Sequence, residues 1–173
     1  TLYKTDITSK NIYKMLPGSG NSQPIAVDNS SPYDGAYYGD ASSWNLVPIQ
    51  SNGSQKGKIN NLLLSQTISL WFNLRTSSSL ANIGLSMDTL VTVAQTSCGS
   101  GILTGTPAKF GLPHNVIIYL NGGNGYANNV NGLFQLANDV LGGANTNISA
   151  ADVQSAVATV NNAFDGCKVL TGA

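Results

Sequence analysis

The chain has no glutamate, one histidine and two cysteines, and charged residues fill only 9 % of its 173 positions. Each scarcity narrows what it can do. Eight Lys and Arg balance eight Asp, so the formal net charge is zero. A polybasic membrane-surface protein or a general nucleic-acid binder relies on clustered positive charge, so neither is expected. One His and two distant Cys cannot supply the ligand cluster of a zinc site. Without Glu, paired-carboxylate chemistry would fall to Asp alone, and the Asp residues sit mostly in loops or at helix ends. The longest strongly apolar stretch, Leu62 to Leu74, is interrupted by Ser65, Gln66 and Asn73. It is too short to cross a bilayer, and no membrane insertion is expected.

What is present points to a folded domain. Apolar residues reach 42 %, too many for a solvated disordered chain. The length favours a single domain over 1–173, with a helix and irregular arm over 1–57 packed on a helical core over 58–173. Gly, Ser, Asn and Thr together make up about two-fifths of the chain, a marked bias. The chain starts at Thr1 and has no basic n-region followed by an apolar h-region, so it reads as a mature or excised fragment. Cys98 and Cys167 are expected to form a disulfide, which would place the protein in an oxidising compartment. A nucleophilic or redox pair is the weaker alternative. Cys98 lies in a Ser/Gly loop, and Cys167 follows a helix C-terminus, the end of the dipole that disfavours a thiolate.

Periodicity predicts a mainly α fold: a compact bundle of four to five helices, a long aromatic-containing N-terminal arm and at most a short β element. A short helix is expected over Thr8 to Leu16, capped by Thr8 or Ser9 and stopped by Pro17-Gly18. Gly18 to Gly57 reads as an arm whose Tyr33, Tyr37, Tyr38 and Trp44 anchor on the helices, with at most a short strand at Trp44 to Ile49. Lys58 to Arg75 is apolar nearly all round and should form a central helix. Ser86 to Ala94 reads as one short strand, and Ser97 to Gly111 as a loop. Three helices should follow. The first starts at Pro113 and runs through Leu120, and the second spans Asn129 to Leu141. The third is capped by Ser149 with Asp152 and carries Val153, Val157, Val160 and Phe164 inward.

Four strings, NNLLLSQTISLWFNLR (Asn60 to Arg75), LPHNVIIYLN (Leu112 to Asn121), VNGLFQLANDVLGG (Val130 to Gly143) and ISAADVQSAVATVNNAFDGC (Ile148 to Cys167), occur in that order. Together with Leu16-Pro17-Gly18-Ser19 they resemble a module of large secreted surface proteins of the Bacteroidota. The aromatic, often Cys-bearing start that many relatives show before the Leu-Pro turn is missing here. The resemblance implies export, often by the type 9 route, and a role in adhesins, gliding-associated filaments or other cell-surface components. It brings no catalytic residues with it. Asp88-Thr89-Leu90 also resembles the short acceptor pattern for protein O-glycosylation in the Bacteroidota, with Thr89 as acceptor.

The chemistry-bearing residues offer few candidate sites. His114 is the sole histidine, and its place at a helix start disfavours the cationic form, so a surface or helix-start role is expected over a catalytic one. Asp28, Asp34 and Asp40 give hard oxygen ligands in one loop, which suits a structural calcium. Solvated turn residues are the plainer reading, and no other cofactor is expected. Tyr33, Tyr37, Tyr38 and Trp44 could stack on sugar rings, with core anchoring as the competing role. Gly122-Gly123-Asn124-Gly125 and Gly142-Gly143 follow helices and read as stops, not phosphate cradles. The expected function is a secreted or cell-surface structural or adhesion module without catalysis. The alternative is a carbohydrate-binding module built on the aromatic arm, and third comes a hydrolase using His114 with an Asp and a Ser. The expected partners are other domains of a larger surface protein or cell-surface glycans, and zero net charge leaves self-assembly open.

Overall fold

The computed structural model describes residues 11–25 and 49–172. They form five helices: α1 (Asn11–Met15), α2 (Leu62–Thr76), α3 (His114–Asn121), α4 (Val130–Leu141) and α5 (Ala150–Phe164). Strands β1 (Thr89–Gln95), β2 (Leu103–Gly111) and β3 (Lys168–Gly172) make an antiparallel sheet of order β2-β1-β3. The architecture is therefore α+β, which corrects the expected mainly α bundle.

Two strands stand where none was expected. β2 falls in the segment read as a loop. Its sequence LTGTPAKFG lacks alternating apolar residues because it is an edge strand, exposed over most of its length. The pairing runs Thr89↔Gly111 to Thr92↔Ala108 and resumes at Ala94↔Thr104, so Gly105, Thr106 and Pro107 bulge opposite Val93. Gly105 takes φ +81, and Pro107 costs no ladder bond outside the regular pairing. β3 follows α5 through Gly166 (φ 68) and Cys167 (φ 62), both left-handed, and pairs with the other side of β1. The central strand β1 overlaps the expected strand but starts three residues later, with Leu90, Thr92 and Val93 buried and Met87 exposed ahead of it.

The start of α2 lies later than its hydrophobic pattern suggests. Asn61 is the N-cap, and its side chain accepts from Leu64 N–H at 3.2 Å while its Nδ2 donates to Gln23 O at 2.8 Å. Lys58 to Asn60 precede the helix and pair instead with the leader. Ile59 N–H donates to Met15 O, Ser19 N–H donates to Ile59 O, and Lys58 Nζ donates to Leu16 O. Ile49, the last residue of the strand expected from Trp44, makes an isolated bridge to Ile59. The rest of that strand, Thr8, Ser9 and the part of the arm over 26–48, with its four aromatics, lie outside the described residues.

α2 is central, as its apolar character requires, but not equally buried all round. Leu63, Leu64, Ile68 and Leu70 are buried, whereas Trp71 and Phe72 are half-buried. Ser65 and Thr67 are buried with them, and their hydroxyls donate to Leu62 O and Leu63 O of the same helix. Leu133, Leu136, Ala137 and Val140 of α4 and Val153, Ala156, Val157 and Val160 of α5 complete the core. Each leucine held there is worth roughly 2 kcal/mol of burial. Asn161 of α5 donates to Gln66 O and Oε1 and accepts from Asn73 Nδ2, linking α5 to α2 by side-chain amides. Ser149 caps α5 as its spacing to Asp152 requires: Oγ accepts from Asp152 N–H and donates to Oδ2.

Candidate functional site

Three features could carry chemistry, and each is assembled by elements distant in sequence. The first is an open depression of about 620 Å³ between the segment leading into β1 and helix α3. Ser86, Met87, Asp88, His114, Ile117, Ile118, Asn121 and Gly122 line it. Leu112 N–H donates to Asp88 O at 2.7 Å, which holds the start of β1 beside the start of α3. That contact brings His114 Nδ1 to 2.6 Å from Asp88 Oδ2. With the carboxylate ionised, Nδ1 carries the proton and Nε2 is the ring atom left for a further partner.

The environment of this pair decides its strength. The side chains are 70 % exposed for His114 and 45 % for Asp88. Water screens charges so placed, and such a pair contributes at most about 1 kcal/mol. Ser86 shares the depression, so the three residue types of a hydrolytic triad meet there. Among the described residues, however, the hydrogen bond of the His114 ring runs to Asp88, and no serine hydroxyl is bonded to it. The arrangement can hold a ligand with one polar and one apolar side, because Met87 and Ile118 are 60 % and 57 % exposed at its edge. Asp88 and His114 are 26 residues apart, and no local sequence signal joins them.

The second feature is a polar knot at the end of α3. Asn145, only 8 % exposed, donates through Nδ2 to Tyr119 Oη at 2.9 Å and Tyr126 Oη at 3.1 Å. Tyr126 Oη donates to Asp139 Oδ2 at 2.7 Å. Asp139 O accepts from the N–H groups of Ala144 and Asn145, which ties the chain after α4 to the helix. Burial pushes the Tyr126 phenol above its usual value; the Asn145 amide opposes this, and the neighbouring Asp139 carboxylate adds to it. A part-buried network with its members paired ties the end of α3 to the chain after α4.

The third is an aromatic group where α1 meets α2. Tyr13, 49 % exposed, lies 5.4 Å from Phe72 with the rings tilted by 31°. Trp71 meets Phe72 edge-on at 5.1 Å, and the Arg75 guanidinium sits 5.4 Å from the Trp71 ring. Such rings expose apolar faces with a cation beside them.

The remaining sequence-derived candidates can be placed directly. Cys98 and Cys167 form a disulfide, with Cα atoms 4.8 Å apart, joining the β1–β2 connection to the start of β3. Thr89 is half-buried at the head of β1, opposite Gly111, beside an Asp88 carboxylate engaged by His114. Tyr33, Tyr37, Tyr38 and Trp44, and the proposed calcium ligands Asp28, Asp34 and Asp40, lie outside the described residues. Among the described residues, no three His, Cys, Asp or Glu side chains gather to hold a metal ion, and no helix is long and apolar enough to cross a membrane. No protein-family model, curated protein or solved structure matches the chain.

Proposed function

We propose that this chain is a structural or adhesion module of an exported protein, stapled by one disulfide and acting through its surface. The observation that carries this reading is the Cys98–Cys167 bond. Disulfides persist in oxidising compartments, and this one clamps the β1–β2 connection to the start of β3. The Bacteroidota surface-module resemblance supports export, with type 9 secretion as the route and other domains of a larger surface protein as partners. The decisive test takes the protein from its native source and locates it by surface proteolysis, with thiol alkylation before and after reduction. A protease-accessible, fully oxidised chain is expected. A chain retained in the cytosol with both thiols free would end the proposal.

A second reading, glycan recognition, is favoured by the Tyr13–Phe72–Trp71 group beside Arg75. Aromatic faces pack against sugar rings, and half-exposed rings do so at little ordering cost. A glycan array compares the wild type with Tyr13→Ala/Trp71→Ala and with Tyr37→Ala/Trp44→Ala. Binding lost in the first variant assigns the contact to α1 and α2, and loss in the second assigns it to the arm. No binding by the wild type removes this reading and leaves the structural one.

A further inference from the structure

The chain contains four Asn-Gly pairs, at Asn52, Asn121, Asn124 and Asn131. Sequence alone makes them equivalent, because glycine offers the least obstruction to its own backbone nitrogen. The structure separates them. Asn131 lies in the first turn of α4, where Gly132 N–H donates to Asn129 Oδ1 at 2.9 Å and Gly132 is pressed against the Ala127 backbone. Asn121 is the last residue of α3, and Gly122 N–H is directed at Tyr119 O. Asn52 and Asn124 are exposed in turns. The glycines that follow them, Gly53 (φ +74) and Gly125 (φ +86), face open space, and their N–H groups make no hydrogen bond among the described residues.

We propose that Asn52 and Asn124 are sites of spontaneous deamidation and that folding protects Asn121 and Asn131. In each reactive pair the glycine nitrogen attacks the asparagine Cγ, a C–N bond forms and ammonia leaves, giving a cyclic succinimide. Water then opens the ring to aspartate or isoaspartate. The sum is amide plus water to acid plus ammonia, with no change of oxidation state. An engaged, sterically confined glycine N–H cannot reach Cγ without breaking its hydrogen bond, and this protects the helical pairs.

The two reactive sites differ in consequence. Among the described residues, Asn52 Nδ2 donates to the adjacent Ser51 hydroxyl alone, on the surface. Asn124 Nδ2 donates to Tyr119 O at 2.9 Å, capping the C-terminal end of α3. Conversion to a carboxylate removes that donor and places negative charge against carbonyl oxygens at the negative end of the helix. Tyr119 also accepts from Asn145, so the loosening is directed at the polar knot. In a chain of zero net charge, each event adds one negative charge.

The test incubates the oxidised, folded domain at mildly alkaline pH and physiological temperature. Peptide mapping by mass spectrometry then follows the amide-to-acid mass increment at all four sites. Conversion at Asn52 and Asn124 should precede that at Asn121 and Asn131, and a more acidic form should accumulate in isoelectric focusing. The same chain reduced and unfolded in urea should lose the distinction. Equal rates at all four sites in the folded domain, or the helical pairs reacting first, would overturn the proposal. Hydrogen exchange on Asn124→Asp and Asn52→Asp tests the consequence, with faster exchange over Gly122 to Tyr126 expected in the first alone. Unchanged exchange in Asn124→Asp would refute the coupling to α3.

Discussion

Removing the disulfide is the perturbation whose size the structure constrains best. Cys98 and Cys167 close a loop of 69 residues in sequence separation. In the chain-entropy view, a cross-link over that span stabilises the fold by about 4 kcal/mol through the unfolded state it restricts. A separate native-state cost sits at one of these residues. Cys167 is the one non-glycine residue among those described with a left-handed backbone, φ 62, which costs about 1 kcal/mol. A Cys98→Ser/Cys167→Ser variant that keeps this backbone should lose about 4 kcal/mol, a large share of the roughly 5–15 kcal/mol typical of a domain. The urea midpoint should fall by about 1–2 M, with a slightly steeper slope because the uncross-linked chain exposes more surface. Cys98→Ser/Cys167→Gly should recover part of the loss, since glycine accepts the left-handed region freely. Midpoints for the serine variant and the oxidised wild type that agree within error would refute the stapling role of the bond. A glycine variant no more stable than the serine variant would refute the strain term.

Two further perturbations read other parts of the fold. Alanine ordinarily beats glycine in a helix by about 1 kcal/mol, but at Gly132 an added Cβ would collide with the Ala127 backbone. Gly132→Ala should therefore destabilise by about 1–3 kcal/mol in thermal unfolding, and a raised midpoint would contradict the packing described. The Tyr126 phenol holds its proton more tightly in the folded state than in the unfolded chain, chiefly through burial. Its contribution is complete below the unfolded value of about 10 and is lost as pH rises through the higher folded value. Stability should fall on the alkaline side, and Tyr126→Phe should flatten that decline. Parallel pH profiles for the two proteins would count against it.

Helices could be read from the sequence where both period and cap were present. The valines of α5 recur at helical spacing behind Ser149, and α4 carries Leu133 and Ala137 on its buried face. The start of α2 was misplaced because Ile59 extends its apolar pattern back before Leu62, yet the buried Asn61 amide starts the helix by bonding Leu64 N–H and Gln23 O. That choice depends on a partner 38 residues away. β2 left no trace, since a solvent-exposed edge strand with a bulge needs no alternating pattern. β3 is five residues long and half-buried, too short for period to speak. The candidate site was least legible: Asp88 meets His114 where the β1–β2 pairing and the Leu112 N–H bond to Asp88 O bring segments 26 residues apart together.

Local chemistry along the chain determined the helical segments, the caps at Ser149, the absence of a membrane span among the described helices and the availability of two cysteines for one bond. Those depend on near neighbours and on composition, which a single strand of text contains. Only tertiary structure decided that the sheet packs against α5, which Asn-Gly pairs are sheltered, and which side chains face one another across the depression. Strand pairing and side-chain meeting are contacts between distant residues. They exist only once burial of the shared core has brought those backbones together.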